Sequence, residues 1–226
     1  MRILVLNPNT TASMTRKIGA AAERAASPGT QIVATNPAQG PASIEGFYDE
    51  AMCVPAMLGV IRDTPDVDAV VIACFDDTGL DAARCLTDKP VVGIGEAAYH
   101  MASMLSNRFS VVTTLARSVP ALEHNLHRYG LAARCGRVRA SDVAVLELEE
   151  PGSNAAQRIS AEIARVRCRT SRSRVLNVRP AACFVTLFTA TNRMVGREAA
   201  SAMASASALS FFCRLTNGFT YAAGTI

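Results

Sequence analysis

The sequence predicts an α/β fold built on parallel sheets with helices on both faces. Two observations lead to this prediction. Short aliphatic runs alternate with longer segments rich in helix-forming residues over most of the chain. The aliphatic runs are apolar at consecutive positions, which is typical of parallel strands that are buried on both faces. The 226 residues, 50% of them hydrophobic, suffice for one large or two small domains of this class.

The predicted strands are aliphatic runs, and two of the predicted helices have a start signal, Thr and Ser at the start of residues 10–26 and acidic and small residues at residues 76–86. The first strand ends at Asn-Pro-Asn, and the Thr and Ser residues that follow are good N-caps. Pro55 interrupts the helical spacing around it. Strands, with adjoining turns or loops, are predicted over residues 2–9, 30–37, 68–75, 90–98, 109–115 and 138–150, and helices over residues 10–26, 47–62, 76–86, 96–105, 116–131 and 154–166.

Polar clusters follow several of the predicted strands, where parallel sheets bind their ligands. The clusters are residues 7–11, 74–79, 95–96 and 113–114. Since the carboxyl ends of parallel strands share one edge of a sheet, we expect these residues to form a binding site there.

Cys74 is the most reactive group in these clusters. It ends a strand just before a predicted helix, whose amides and partial positive charge should lower the thiol pKa toward neutrality. Asp76 and Asp77 are expected to cap that helix. The alternative role for Cys74 is that of a small buried hydrophobic residue.

Other patterns exclude function classes. The glycines of residues 93–96 lack the order of a dinucleotide-binding loop, so no nucleotide cofactor is predicted. His124 and His127 have no carboxylate set near them in the sequence, so no metal is predicted. Seven cysteines without CxxC or CxxxH spacing favour reduced thiols over disulfides or zinc.

Composition also bears on partners and location. The chain has no Trp, four Tyr and eight Phe, which disfavours an aromatic platform for nucleic acids. No apolar run has the length of a membrane span, and no secretory signal is visible. We therefore expect a cytoplasmic protein with no nucleic-acid or membrane partner.

The balance of basic and acidic side chains changes abruptly late in the chain. Residues 1–163 carry 14 basic and 18 acidic side chains, whereas residues 164–226 carry nine Arg and one acid, Glu198. The strand–helix alternation also ends near Val166, and an Arg-rich stretch and an Ala/Ser-rich stretch follow. A nucleic-acid role for this Arg-rich stretch is disfavoured, because it contains no aromatic residues and no recognisable module.

Long segments of the chain resemble the Asp/Glu/hydantoin racemase family. The segments are MRILVLNPNTTASMT, GPASIEGFYDEA, VVIACFDDTGLDAAR, PVVGIGEAAYHMAS and FSVVTTLARSVPALEHN. The resemblance is almost continuous from Met1 to about Ala164.

The resemblance implies two similar α/β lobes, each with a parallel sheet flanked by helices, and an active site in the cleft between them. Residues 1–96 would form the first lobe, completed by about residues 200–226, and residues 97–200 would form the second. Homo-oligomers are common in the family, so we expect one here.

The resemblance also implies a reaction without metal or organic cofactor. Two cysteines lie on opposite sides of the stereocentre of the substrate and exchange protons with it. The expected substrate is a small molecule, a 5-monosubstituted hydantoin, which is racemised at C5. Cys74 matches the first cysteine. The residues that resemble the substrate pocket are Asn9, Ile44, Phe75, Thr113 and Thr114.

The motif around the family's second cysteine, like Leu-Gly-Cys-Ala-Gly-Met, is absent here. Cys183 is the nearest thiol and is the candidate for that role, although Phe184 follows it in place of a small residue. Together with the charge break, this leads to the hypothesis that residues from about Val166 onward are encoded out of frame. The alternative is a divergent C-terminal segment in which Cys183 acts.

Three further interpretations stay open at this point. The substrate could be allantoin, or it could be an amino acid such as aspartate or glutamate. A third interpretation is a catalytically impaired chain without the second cysteine motif. The apolar surroundings expected near Ile44 and Phe75 favour a bulky apolar substituent on the hydantoin.

Overall fold

The computed structural model of the protein describes residues 1–170 and 183–186, with side-chain surroundings through residue 166. The predicted α/β class with parallel sheets is confirmed, since every described strand pairs in parallel. In chain order the strands and helices are β1 (Arg2–Leu6), α1 (Ala12–Ala25), β2 (Gln31–Thr35), α2 (Phe47–Arg62), β3 (Ala69–Ile72), α3 (Leu80–Leu86), β4 (Val91–Gly93), α4 (Ile94–Leu105), β5 (Phe109–Thr113), α5 (Val119–Arg128), β6 (Cys135–Ala140), α6 (Ala155–Thr170) and β7 (Cys183–Thr186).

The first sheet has the order β2-β1-β3-β4 and is covered on both faces. Its apolar side chains alternate between the two faces, as the strand period of two requires. On one face, Leu4 and Ile72 pack with Met57 of α2 and Leu80 of α3. On the other face, Ile3, Val5 and Val71 pack with Ala22 of α1. This double burial explains why the strands are apolar at every position.

The second sheet has the order β6-β5-β7, so β5 is its middle strand. Phe109 and Val111 of β5 form a core with Leu122 and Leu126 of α5 and Tyr99 of α4. Phe75, which follows the first sheet's β3, belongs to the same core. The predicted division into two lobes around a cleft stays a prediction, and its completion by residues 200–226 lies outside the described residues.

Several predicted boundaries are wrong, and the structure gives the reason for each. The helix predicted to begin at residue 76 begins at Leu80, because Asp77 (φ 52°) and Gly79 (φ 68°) are left-handed and form a turn. The strand predicted over residues 90–98 ends at Gly93, and α4 begins at once. The strand predicted over residues 138–150 is instead Cys135–Ala140, followed by a loop and a 3₁₀ turn at Leu146–Glu149.

Pro55 lies inside an unbroken α2. Proline removes the bond that its own amide would donate to the carbonyl of Ala51. Ala51 and Pro55 are both exposed, so water can hydrogen-bond that carbonyl. None of the helices among the described residues has both the length and the apolar character needed to cross a bilayer.

Candidate active site

Parallel pairing brings the predicted polar clusters to the carboxyl edges of the strands. In the first sheet, Leu6 of β1 lies beside Ile72 of β3, so the turn after Leu6 and the turn containing Cys74 leave the same edge. In the second sheet, Thr113 lies beside Ala140 at the corresponding edge. Asn125 on α5 reaches across to the first sheet and donates to the carbonyl oxygen of Asp76, 2.7 Å away.

Cys74 is half-buried, and its side chain packs against the core between the first sheet and helices α2 and α3. Its Sγ lies 3.5 Å from Oγ1 of Thr78, a residue that is buried in the same turn. Burial raises the pKa of the Cys74 thiol, and the negative charge of Asp76 raises it further. The Thr78 hydroxyl and the backbone amide of Asp76 act in the opposite direction, with a smaller effect.

The predicted lowering of the Cys74 pKa is therefore wrong in direction. It assumed a helix that begins directly after Cys74, whereas α3 begins six residues later, at Leu80. Among the described residues, the amide of Asp76 and the hydroxyl of Thr78 are the only groups that hydrogen-bond to the sulfur and so favour the thiolate. Burial and the charge of Asp76 thus favour the neutral thiol over the thiolate.

Asp77 caps a helix, although a different one from the helix we predicted. Its carboxylate accepts hydrogen bonds from the amides of Gly95 (2.9 Å) and Glu96 (2.6 Å) in the first turn of α4. The hydroxyl of Tyr129 donates to the same carboxylate, 2.8 Å away. Burial raises the pKa of Asp77 to about 7, against the effect of these three bonds. A Cβ at Gly95 would overlap the carbonyl oxygen of Phe75, so glycine permits this close approach.

Asp76 lacks such a set of partners. Its side chain is buried, with 6% of the residue exposed, and Oδ2 has no hydrogen-bond partner among the described residues. Burial raises the pKa of Asp76 to about 7, and the charge of Glu50 adds to the rise. A hydrogen bond from Ser118 opposes it. The prediction that Asp76 caps α3 is wrong, since α3 has no side-chain cap at its start.

Asn9 is buried in the turn after β1, and its carbonyl oxygen is fully occupied within that turn. Oδ1 accepts from Nδ2 of Asn7 and from the amide of Thr11, both at 2.9 Å. Its Nδ2 faces only the sulfur of Met14 at 3.5 Å, a weak acceptor. The NH₂ group of Asn9 is thus the part of this side chain that is left for a ligand.

Ile44 is buried in a segment that is tied to both sheets. The next residue, Glu45, accepts a hydrogen bond from the amide of Val145 (2.8 Å) and forms an ion pair with Arg117. Upstream, the hydroxyl of Thr11 donates to the carbonyl of Ala42, 2.6 Å away. The segment of residues 40–46 therefore runs from the turn after β1 to the residues that follow β5.

The remaining predicted pocket residues differ in what they can offer. Thr113 and Thr114 are both buried, and Oγ1 of Thr113 has no hydrogen-bond partner in the part of the chain described. Phe75 packs edge-on against Tyr99 with ring centroids 5.4 Å apart, so its ring belongs to the second core. Asn9, Ile44, Thr113 and Thr114 remain predicted substrate contacts, and Phe75 contributes packing in the same region.

Cys183 is the first residue of β7, where its backbone lies beside Phe109 at the start of β5. The carboxyl end of β7 is Thr186, beside Val112. The register thus places residue 183 at the opposite end of the strand from the edge that carries Thr113. Its role as second catalytic cysteine stays a prediction.

The structure also contains a hollow of about 210 Å³ that is unrelated to these residues. It lies near the amino ends of β3 and β4, between the end of α2 and the end of α3. Val67, Val70 and Leu86 line it together with Lys89 and other residues. None of the predicted site residues contributes to it.

Sequence reasoning missed Glu45, Arg117, Ser118 and the unpartnered carboxyl of Asp76. The contacts of Glu45 span up to 100 positions along the chain, so no local motif signals them. The two adjacent aspartates near Cys74 are apparent in the sequence. Which of them has hydrogen-bond partners for its carboxyl group depends on the positions of α4 and α5. Side chains of residues 1–166 form no cluster of three or more His, Cys, Asp or Glu suited to a metal ion.

The family model for "Asp/Glu/Hydantoin racemase" matches residues 3–173 of the chain. A hydantoin racemase of Pseudomonas sp. (strain NS671) is 50% identical over 151 residues, which cover 66% of this chain and 61% of that protein. A hydantoin racemase of Rhizobium meliloti is 49% identical over 165 residues, which cover 72% of this chain and 68% of that protein. The chain thus spans less than two thirds of the length of the first of these relatives.

Solved structures add a second group of relatives. The allantoin racemase from Klebsiella pneumoniae superposes with a TM-score of 0.81 at 36% identity, over 95% of this chain and 85% of that one. An allantoin racemase from Pseudomonas fluorescens gives a TM-score of 0.71 at 33% identity, over 93% and 96% of the two chains. Sequence and structure comparisons therefore agree on the family and differ in the substrate that they name.

Proposed function

Because the chain belongs to the Asp/Glu/hydantoin racemase family, we propose that it interconverts the D- and L-forms of 5-monosubstituted hydantoins. The observation that carries the proposal is Cys74, a half-buried thiol at the carboxyl edge of the first sheet, in a chain about half identical to two hydantoin racemases. The coarser statement, a racemase acting on a small molecule, is supported by both groups of relatives.

The chemistry requires two groups on opposite faces of C5. The carbonyl next to C5 acidifies its proton, and the electron pair released on proton removal is taken up by that carbonyl as an enolate. One group removes the proton, and the other returns a proton to the opposite face. Cys74 is one of these groups in our proposal, and Cys183 is the candidate for the other. No cofactor or metal has a part in it.

Allantoin is the second candidate substrate, because the two solved structures named above are allantoin racemases. Allantoin is a hydantoin with a polar ureido group at C5, so the reacting atoms are the same. The apolar side chain of Ile44, a predicted substrate contact, favours an apolar substituent over a ureido group. For aspartate or glutamate, no observation in the described residues gives comparable support.

The test follows the optical rotation of a single enantiomer of 5-benzylhydantoin in D₂O, with deuterium at C5 measured by mass spectrometry. We expect the purified protein to racemise it, and Cys74→Ser to slow the reaction by about 10²- to 10⁴-fold, as for loss of a general acid or base. Cys85→Ser is the matched control, since Cys85 is exposed on α3 and should leave the rate unchanged. (S)-Allantoin, run in parallel, ranks the two substrates.

The outcomes separate the alternatives. An unchanged rate in Cys74→Ser would contradict the assignment of Cys74, and a faster reaction with allantoin would replace the proposed substrate. If Cys183→Ala abolishes racemisation, the second role belongs to Cys183. Deuterium uptake with retained configuration would mean that Cys74 works alone on one face. Neither exchange nor racemisation by folded protein would support a catalytically impaired chain.

We also propose that the protein is a cytoplasmic homo-oligomer. Three side chains at the start of α2, Phe47, Tyr48 and Met52, are large, apolar and exposed, and such surfaces are often subunit contacts. Light scattering of the purified protein would measure the mass of the assembly, and a monomer at all concentrations would contradict this part of the proposal.

A further inference from the structure

Asp76 is a buried carboxyl group that the proposed reaction does not yet use. It lies two residues after Cys74, in a turn closed by the hydrogen bond from the amide of Asp77 to the carbonyl of Cys74 (3.1 Å). Asn125 of α5 fixes the backbone of Asp76 from the other side. The backbone that carries the Asp76 side chain is therefore held on both sides, two residues after the thiol.

The carboxyl group of Asp76 is only partly satisfied by hydrogen bonds. Oδ2 has no hydrogen-bond partner among residues 1–166, although the residue is 94% buried. The groups that face it are acids or hydroxyls: Glu50 on α2, Cys74 and Asp77 in its own turn, Tyr99 on α4 and Ser118 after β5. Cys53 on α2 also faces Cys74. A negative charge buried in such a setting acts strongly on a neighbouring acid.

The backbone and side chain of Asp76 act on the sulfur in opposite ways. The amide of Asp76 stabilises a thiolate, as does the hydroxyl of Thr78 at 3.5 Å. The carboxylate of Asp76 opposes the thiolate by repulsion between like charges. Because the carboxylate is shielded from water, its repulsion is screened less than that of an exposed charge.

We propose that Asp76 is a positioning residue that holds Cys74 in the protonated thiol form, so that Cys74 rests as the proton donor of the site. Its part in catalysis rests on the proposed racemase function. The carboxyl itself touches no substrate in this proposal and acts only through the sulfur.

The proton balance of the reaction fits this role. The group on the opposite face starts as the base and breaks the C5–H bond, whose electron pair moves to the adjacent carbonyl oxygen. The S–H bond of Cys74 then breaks, its proton forms the new C5–H bond, and a thiolate remains at residue 74. That thiolate is disfavoured by the charge of Asp76 and takes up a proton from water after product release, while the opposite group releases the proton from C5 to water.

The test measures the thiol directly. Iodoacetamide labelling rates of Cys74 are followed from pH 6 to pH 11 by mass spectrometry of the tryptic peptide of residues 63–84, in which Cys74 is the only cysteine. We expect Asp76→Asn to move the midpoint of labelling to lower pH by about one unit or more, as for removal of a nearby like charge. Asp76→Glu, which keeps the carboxylate, should leave the midpoint near the wild-type value.

Asp81→Asn is the matched control. Asp81 lies five residues further along, on α3, is largely exposed and pairs with Arg128. Its replacement removes the same charge from the same region, and we expect no shift in the Cys74 midpoint. Circular dichroism establishes that each variant is folded, and Asp76→Ser replaces Asp76→Asn if the latter does not fold.

Two results would overturn the proposal. The first is an unchanged Cys74 midpoint in folded Asp76→Asn or Asp76→Ser, and the second is an equal shift in Asp81→Asn. The labelling requires no substrate, so it can succeed even if the racemase assignment fails. If the protein does racemise 5-benzylhydantoin, the pH profile of kcat should shift in Asp76→Asn together with the labelling midpoint. A kcat profile that stays fixed while labelling shifts would also overturn the proposal.

Discussion

At the scale of single residues, the adjacent aspartates after Cys74 have opposite environments. Asp77 is anchored by two amides of α4 and by Tyr129, whereas Asp76 keeps an unpartnered oxygen. A carboxylate that accepts several hydrogen bonds at a helix start holds the chain in place. An unsatisfied one costs stability and is retained where it serves a function. We therefore assign a structural role to Asp77 and a functional role, through Cys74, to Asp76.

The structural role of Asp77 gives the first prediction at this scale. Asp77→Ala leaves one buried and two partly buried donors without an acceptor, so we expect the free energy of unfolding to fall by about 3 kcal/mol. Asp81→Ala removes an exposed ion pair and should change it by less than about 1 kcal/mol. Urea titration followed by circular dichroism measures both values, and equal values would contradict the role.

The sequence predicted the features that neighbouring residues determine. It failed where residues from distant elements determine where a helix begins. The apolar runs predicted β1, β3 and β5 because burial on both faces leaves a local pattern. The start of α4 at Ile94 was missed, because its cap is a side chain 17 positions earlier, on Asp77. The start of α3 was missed because a left-handed Asp77 is not visible in residue preferences.

At the scale of elements, the segment of residues 40–46 connects the loops of the two sheets. Thr11 holds one end of it, and Glu45 holds the other through Val145 and Arg117. Gly46 (φ 115°) allows the backbone to pass close to the carbonyl oxygen of Arg117. These contacts fix Ile44, a predicted substrate contact, against the second sheet's loops.

The prediction at this scale concerns Glu45, which is 8% exposed. We expect Glu45→Ala to reduce the free energy of unfolding by about 2–3 kcal/mol, because the Val145 amide loses its acceptor. It should also raise KM for 5-benzylhydantoin more than it lowers kcat. Glu45→Gln keeps an acceptor for Val145 and should recover most of the stability.

Glu149→Gln serves as control for Glu45, since Glu149 forms a separate ion pair with Lys17 of α1 (2.8 Å). It should leave KM unchanged. If Glu45→Ala and Glu149→Gln alter KM alike, the segment has no particular influence on the site, and Ile44 loses its place in the predicted pocket.

At the scale of the whole molecule, two boundaries fall close together. The charge balance changes after residue 163, and the family model ends at residue 173. A change of reading frame would produce an abrupt change of this kind. Gradual divergence would instead be spread along the chain.

The prediction at this scale concerns the nucleotide sequence of the gene that encodes the protein. A neighbouring reading frame should encode a segment like Gly-Cys-Ala-Gly near codons 176–183, and the protein read in that frame should match its relatives beyond residue 173. Resequencing the gene and translating all three frames measures this. If no frame contains such a segment, the C-terminal sequence is genuine, and Cys183 remains the only candidate in that region that we have identified.

The position of β5 in the middle of its sheet has a consequence for synthesis on the ribosome. The described strands of the first sheet have been made once residue 93 is added, whereas β5 waits for β7 until residue 186. At ordinary elongation rates the roughly 70 intervening residues take about 4–15 s, during which one side of β5 has open hydrogen-bonding groups. A nascent chain of this protein would therefore benefit from chaperone binding within that interval, and residues 183–186 decide whether this side of β5 is paired in time.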